Sequence, residues 1–278
     1  MPEISVTLLF VILAAGAVAG CLGAMLGIGG GVFLIPLLNV GLGFPMRTAS
    51  GISLMTVIAT SNAVAASADS RKLLNLRLGM LLQIPAVAGG IIGALLVRRL
   101  PVGTLYVIFA AITAVIAVVM IGRLDRRNVI LDTSVEPGTL GGRFFEGESG
   151  REVVYRVRRL GTGLGVSFAG GIVSGLFGIG GGILQVPALN AWCGIPMRAA
   201  AATTAAMIGV TALGSAPIYY MRGHVIAPLA AAGVMGVLLG SRAGLWFSPR
   251  TNAKGLKMLM AGVLAAVSLI YLYRSVVG

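Results

Sequence analysis

Apolar residues fill this chain in long blocks, and the polar positions fall between them. The blocks lie at about 4–26, 30–42, 48–68, 78–97 and 102–122, then at about 160–177, 181–193, 199–220, 227–247 and 255–273. Runs of about 20 apolar residues match the ~30 Å hydrocarbon core of a bilayer. The pattern therefore predicts an all-α, polytopic integral membrane protein. The second block of each set is shorter, about 13 residues or ~20 Å of helix, which is too short to cross. Each short block follows a glycine-rich interruption and holds a proline, Pro36 or Pro187. Each is expected to be a half-span or a strongly tilted helix, entered through a break.

The two sets repeat one another. Residues 20–53, GCLGAMLGIGGGVFLIPLLNVGLGFPMRTASGIS, align without a gap on residues 171–204, GIVSGLFGIGGGILQVPALNAWCGIPMRAAAATT, at a constant offset of 151. Gly27–Gly31 fall on Gly178–Gly182, Asn39 on Asn190, and Pro45-Met46-Arg47 on Pro196-Met197-Arg198. Internal repeats in so apolar a chain are a mark of secondary transporters, which bind substrate where related halves meet and helices are broken. The expected organisation is a first transmembrane repeat over 1–122, a polar linker over 123–158 and a second repeat over 159–278.

Composition agrees with the pattern and adds a sign. The chain is 57% hydrophobic and 10% charged, too little charge to cover a soluble domain. Net charge is +13. The acids Asp125, Asp132, Glu136, Glu146, Glu148 and Glu152 sit in the linker, and only Glu3 and Asp69 lie outside it. The spans thus hold almost no carboxylate. Either lipid simply excludes charge, or the pathway suits anions and disfavours metal cations. The linker has too few apolar residues to form a core of its own and is expected to be cytoplasmic and partly disordered. With the linker inside and five segments per half, Arg71, Lys72, Arg77, Arg198, Arg250, Lys254 and Lys257 also fall inside, which the positive-inside rule favours. An odd number of segments inverts the halves and puts the C-terminus outside. Val18-Ala19-Gly20-Cys21 looks like a lipoprotein cleavage site, but Gly20-Cys21 lies within the repeat and no basic residue precedes it, so residues 4–26 read as a retained first span.

The glycine runs are the sharpest chemical signal. Several glycines in one turn oppose continuous helix, at about 1 kcal/mol each. Irregular backbone at membrane depth is tolerated only inside protein or beside a water-filled cavity. The amides that open the following helix, at Gly29, Gly30 and Gly31 and at Gly180, Gly181 and Gly182, would form an anion site backed by the helix dipole. Close helix packing is the competing role for such glycines. Valine at Gly30 or Gly181 is expected to block approach to those amides with little loss of protein.

The repeated GxGGGxxxxP pattern, followed by GxPxRxA, resembles the TauE/SafE family of sulfite exporters over roughly 8–122 and 160–275. The resemblance implies a membrane transporter of sulfur-containing anions such as sulfite, thiosulfate or organosulfonates, in a bacterial inner membrane. Export by alternating access is the expectation, and an inside-negative potential assists it by ~2.3 kcal/mol per charge per 100 mV. An anion channel, an importer, and a membrane-embedded enzyme or assembly factor are the alternatives. The spans show no nucleophile, metal-ligand or paired-carboxylate arrangement that an enzyme would need. No cofactor, metal or nucleic-acid partner is expected. Lipid is the surrounding partner, and homo-oligomerisation is left open.

Other polar positions have two readings each. Ser50, Ser53, Thr56 and Thr60 share one helical face, and Thr204 and Thr211 are the counterparts of Ser53 and Thr60. Their hydroxyls could donate to an anion or bond their own helix. Ser53 and Thr204, with Asn39 and Asn190, are taken as substrate-binding candidates, although the asparagines could equally orient their loops. Gln185 has only Leu34 opposite it, so any role there is asymmetric. Arg47 and Arg198 could steer an anion or snorkel to headgroups, and Arg71 and Arg222 share that ambiguity. Asp69 suits a loop ion pair with Arg71 or Lys72 better than proton coupling, and His224 reads as a loop histidine. Cys21 and Cys193 occupy non-equivalent positions and read as small packing residues.

Overall fold

The computed structural model describes residues 5–122, 136–146, 150–248, 251 and 253–277. Its helices in the first half are α1 (Val6–Leu26), α2 (Gly31–Pro36, continued by a π-helical turn Leu37–Gly41), α3 (Met46–Ala66), α4 (Ala68–Leu73), α5 (Leu76–Leu96) and α6 (Val102–Ile121). The second half has α7 (Leu160–Phe177), α8 (Gly182–Ala191), α9 (Met197–Met221), α10 (Ala227–Phe247) and α11 (Ala253–Val277). Apart from α4, the order is the same twice at the sequence offset. Among the described residues six helices, α1, α3, α5, α7, α9 and α10, are long and apolar enough to cross a membrane. The protein is thus a mostly helical, polytopic membrane protein.

Local chemistry sets the helix ends. The Ser5 hydroxyl accepts from Thr7 N–H and the Asn75 side chain from Leu78 N–H, capping α1 and α5. Pro45 and Pro196 precede α3 and α9 in extended conformation and start both helices at the same repeat position. Gly27 and Gly178 end α1 and α7 in the left-handed region, at φ 70° and 73°. The chain then doubles back. Gly23 faces the amide of Gly30, and Gly170 faces Gly181 and Gln185, so α2 lies against α1 and α8 against α7.

Pairing between the halves is exchanged. α1 packs on α10, and α7 on α5. Both contacts use glycine stripes. Gly16 and Gly20 lie on Gly233 and Val237, and Gly236, Gly240 and Gly244 lie on Leu13, Ala17 and Cys21. In the other pair, Gly171 and Gly175 meet Ala86 and Gly90, while Gly89 and Gly93 meet Phe168 and Ile172. A Cβ at most of these positions would run into backbone, so the approach depends on the missing side chain. Both pairs run parallel. α6 and α11 instead pack antiparallel, with Tyr271 against Tyr106 and Phe109 and the Ser268 hydroxyl donating to Ala110 O at 2.9 Å. At the centre α3 crosses α9, where the Ser61 hydroxyl donates to Ala205 O and accepts from Gly209 N–H.

The linker departs from the all-α expectation. Strands β1 (Gly142–Glu146) and β2 (Arg151–Tyr155) form an antiparallel hairpin with Phe144 opposite Val153. Phe144, Val153 and Tyr155 are buried against Leu78, Leu82, Leu189 and Ile195. The hairpin has no core of its own and borrows one from the helix ends, which a count of linker residues cannot show. Asn75 ties it to the bundle by donating to Leu140 O at 2.7 Å and to the Tyr155 hydroxyl at 3.0 Å. Burial pushes the Tyr155 phenol above its usual pKa, and the Asn75 bond opposes that. Glu3, Asp125, Asp132 and Arg250 lie outside the described residues, as do the side chains of Asp69, Glu146 and Lys257.

Candidate functional site

Both breaks adopt one conformation. Gly29 and Gly30 have φ of 82° and 73°, and Gly180 and Gly181 have φ of 82° and 79°. Left-handed backbone of this kind favours glycine over every other residue. Gly30 and Gly181 cap α2 and α8. The first amides of a helix have no acceptor within it, so each break points a helix start into the protein interior.

The α3/α9 crossing brings the breaks together. Positions Gly29 and Gly180 each face both Val57 and Ile208. Ser50 backbone faces Gly178, and its counterpart Ala201 faces Gly27. A Cβ on Gly31 would lie 3.1 Å from Gly178 O, and one on Gly182 would lie 2.9 Å from Gly27 O. The two runs therefore approach closely, with the Ser53 hydroxyl, Val57 and Ile208 packed around the meeting point. Gly29, Gly30, Gly31, Gly180, Gly181 and Gly182 form one cluster, although 151 residues separate the copies.

Side chains at the cluster are less symmetric than the backbone. The Ser53 hydroxyl donates to Gly178 O at 2.7 Å and so bridges the halves. Its counterpart Thr204 is fully buried, and its hydroxyl has no partner within the protein. Ser174 and Gln185, beside the second break, are likewise fully buried with unpartnered polar atoms, and for Gln185 that includes both ends of the amide. In the sequence Gln185 stands out only as asymmetric, and Ser174 does not stand out at all. The signal that finds both is a polar residue set against Leu34 or Gly23 in the other copy.

The remaining candidates lie elsewhere and are occupied. Asn39 donates to Phe44 O and Asn190 to Ile195 O, each at 2.8 Å, clipping the loop after the short helix. Asn39 Oδ1 also accepts from Arg274 at 3.2 Å. This is the loop-orienting role, and it commits the amide nitrogens to backbone. Arg47 donates to Val97 O and Leu100 O at 3.4 Å, and Arg198 donates to Thr251 O at 2.6 Å. Both arginines thus hold the turn between the last two helices of their own half. Arg222 donates to Ala94 O at 2.8 Å, and Arg71 is exposed. Thr56, Thr60 and Thr211 bond carbonyls of their own helices. Burial, with Arg47 and Arg222 nearby, lowers the pKa of loop residue His224. Cys193 is buried and Cys21 partly so. Among the described residues no three His, Cys, Asp or Glu side chains gather as metal ligands would.

The sequence model of the family described as "Sulfite exporter TauE/SafE" matches residues 12–271. The chain is similar to a Bacillus subtilis (strain 168) protein described as "Probable membrane transporter protein YunE". The two are 26% identical over 275 residues, covering 96% of this chain and 98% of that protein. It is also similar to a second protein so described, from Methanocaldococcus jannaschii. That match is 30% identical over 111 residues, or 37% of this chain and 41% of that protein. No solved structure matches the chain.

Proposed function

The chain belongs to the TauE/SafE sulfite exporter family of membrane transporters, and on that ground we propose that it exports a small sulfur-containing anion by alternating access. The substrate class is sulfite, thiosulfate or an organosulfonate. The observation that carries the proposal is the meeting of two helix-opening breaks at the α3/α9 crossing. Amides at Gly29–Gly31 and Gly180–Gly182 and the hydroxyl of Thr204 would supply neutral donors to an oxyanion without a fixed charge to desolvate, with Ser53 bridging the halves beside them. Asn39 and Asn190 shape the loops behind that site, and Arg47 and Arg198 hold the turns that flank it.

The two repeats, 1–122 and 159–278, are proposed to be inverted, with the 123–158 linker in the cytoplasm and the C-terminus outside. Helix directions support this. If each half made an even number of passes, α6 and α11 would run parallel, whereas they pack antiparallel. Inverted halves would let one site face either side as they rock. The bacterial inner membrane is the proposed location.

The test is flux in proteoliposomes loaded with sulfite, thiosulfate or taurine. Efflux of at least one is the expected result, and an inside-negative potential should speed it for sulfite and thiosulfate but not for taurine, a zwitterion of zero net charge. No flux of any of the three from correctly folded protein would overturn the proposal.

A further inference from the structure

The backbone of the two breaks is matched, but the polar side chains around them are not. At the second break stand Ser174, Gln185 and Thr204, and the same positions of the first break hold Gly23, Leu34 and Ser53. Ser53 is already bonded to Gly178 O. Ser174, Gln185 and Thr204 are all 0% exposed, and none of their side-chain polar atoms has a partner within the protein.

Gln185 is the most costly of the three. A buried primary amide offers two donors and one acceptor, and leaving such groups unpaired destabilises a fold. Its first-half counterpart is leucine, which fills the same place without that cost. The amide lies one turn into α8, where Gln185 N–H bonds Gly181 O at 3.2 Å. Its Nε2 lies 3.6 Å from a Cβ placed on Gly170, which also faces Gly181 O. Ser174 follows Gly170 by one turn on α7. Its carbonyl accepts from Gly178 N–H at 2.7 Å, which sets Ser174 at the entrance to the second break.

We propose that Gln185, with Ser174, forms a one-sided recognition subsite for the substrate's oxyanion head at the second break. The subsite rests on the transport reading above and adds where the anion sits and what selects it. Sulfite, thiosulfate and sulfonate oxygens are hydrogen-bond acceptors, and an amide NH₂ with a serine hydroxyl supplies matching donors. The first break contributes backbone and the apolar Leu34. The head therefore lies off the centre between the two repeats, toward α7 and α8.

The experiment compares wild type, Gln185→Leu, Ser174→Ala and Leu34→Gln for thermal stability and for binding of sulfite, thiosulfate and taurine. Gln185→Leu installs the residue of the other half. It should keep or raise thermal stability while weakening binding at least about tenfold. Ser174→Ala should weaken binding by about threefold or more without unfolding the protein, and Leu34→Gln should leave affinity nearly unchanged. If wild type binds a probe and Gln185→Leu binds it equally, the subsite is wrong and the transport reading stands. A loss of stability with unchanged affinity overturns the subsite in the same way, since the amide would then be structural. If wild type binds and moves none of the probes, the substrate reading fails first.

Discussion

The first and second breaks share one backbone conformation, with φ at their matched glycines equal to within 6°, and differ in what surrounds them. Gly30 and Gly181 both cap a short helix at positive φ and lie against the preceding helix of their own half, at Ala19 and at Gly170, while Gly29 and Gly180 face the α3/α9 crossing. Around the first, the hydroxyl of Ser53 is committed to holding the halves together. Around the second, Thr204, Ser174 and Gln185 hold buried polar atoms with no partner in the protein. On the proposed reading, symmetry in the backbone makes the site, and asymmetry in the side chains selects which half reads the substrate. Unpaired buried polar groups are kept against a stability cost; the first copy carries it at Ser50 Oγ and Arg47 Nε, and the larger share, including both ends of the Gln185 amide, falls on the second.

The largest expected effect ignores the difference between the halves. Gly30→Val and Gly181→Val should each cost about 3 kcal/mol or more, because a β-branched residue is strained at positive φ and overpacks the contact. A Cβ at Gly30 would lie 2.8 Å from Ala19 O, and one at Gly181 would lie 2.7 Å from Gly170 O. Thermal unfolding of the purified variants should show both losses. This corrects the expectation from sequence that valine would only screen the amides, and it means that glycine variants report on folding before they report on binding.

The comparison sharpens at Ser53 and Thr204. Ser53→Ala leaves Gly178 O without its donor and should lower stability by about 1–2 kcal/mol. Thr204→Val keeps the shape and removes a hydroxyl that bonds nothing, so stability should stay within about 0.5 kcal/mol or rise. Denaturation of both variants side by side checks the contrast. Equal losses would mean that Thr204 is held as Ser53 is.

Smaller effects are expected at the matched arginines. Each guanidinium donates to backbone carbonyls of its own half, and a lysine ammonium can reach one such carbonyl. Arg47→Lys and Arg198→Lys should each cost about 1 kcal/mol or less and leave flux within about threefold of wild type. A much larger loss of flux in well-folded protein would return these residues to the anion pathway.

The smallest effect belongs to His224, in a second-half loop beside Arg47 and Arg222. Its pKa is lowered in the folded protein, so the unfolded chain takes up the proton first as pH falls. Its contribution to stability is present above the ordinary histidine pKa of about 6.5 and is lost on acidification. The melting temperature should fall slightly between neutral and mildly acidic pH, and His224→Gln should flatten that dependence.

Much of this is legible in the residues for stated reasons. Apolar runs reveal spans, and paired glycine runs followed by proline reveal breaks, because both rest on local chemistry. The exchange of α1 onto α10 is not legible, since the stripe Gly233, Gly236, Gly240, Gly244 announces close packing without naming its partner. The hairpin at 142–155 is hidden in the sequence because its buried Phe144 and Tyr155 draw their neighbours from α5 and α8. Within the site, Ser53 and Thr204 look interchangeable in sequence. Only geometry shows one bonded and the other not. Asn39 and Asn190 are visibly matched along the chain, but their shared bond to the loop carbonyl emerges only once the turn is built.

The central claim is that substrate crosses where the breaks meet, which requires the α3/α9 crossing to move. Val57 and Ile208 both lie against Gly29 and against Gly180. Replacing both with cysteine, after Cys21 and Cys193 are changed to alanine, sets two thiols at the crossing for an oxidant to join. In proteoliposomes moving sulfite, thiosulfate or taurine, oxidation should stop flux and a reductant should restore it. Undiminished flux in fully cross-linked protein would contradict the claim.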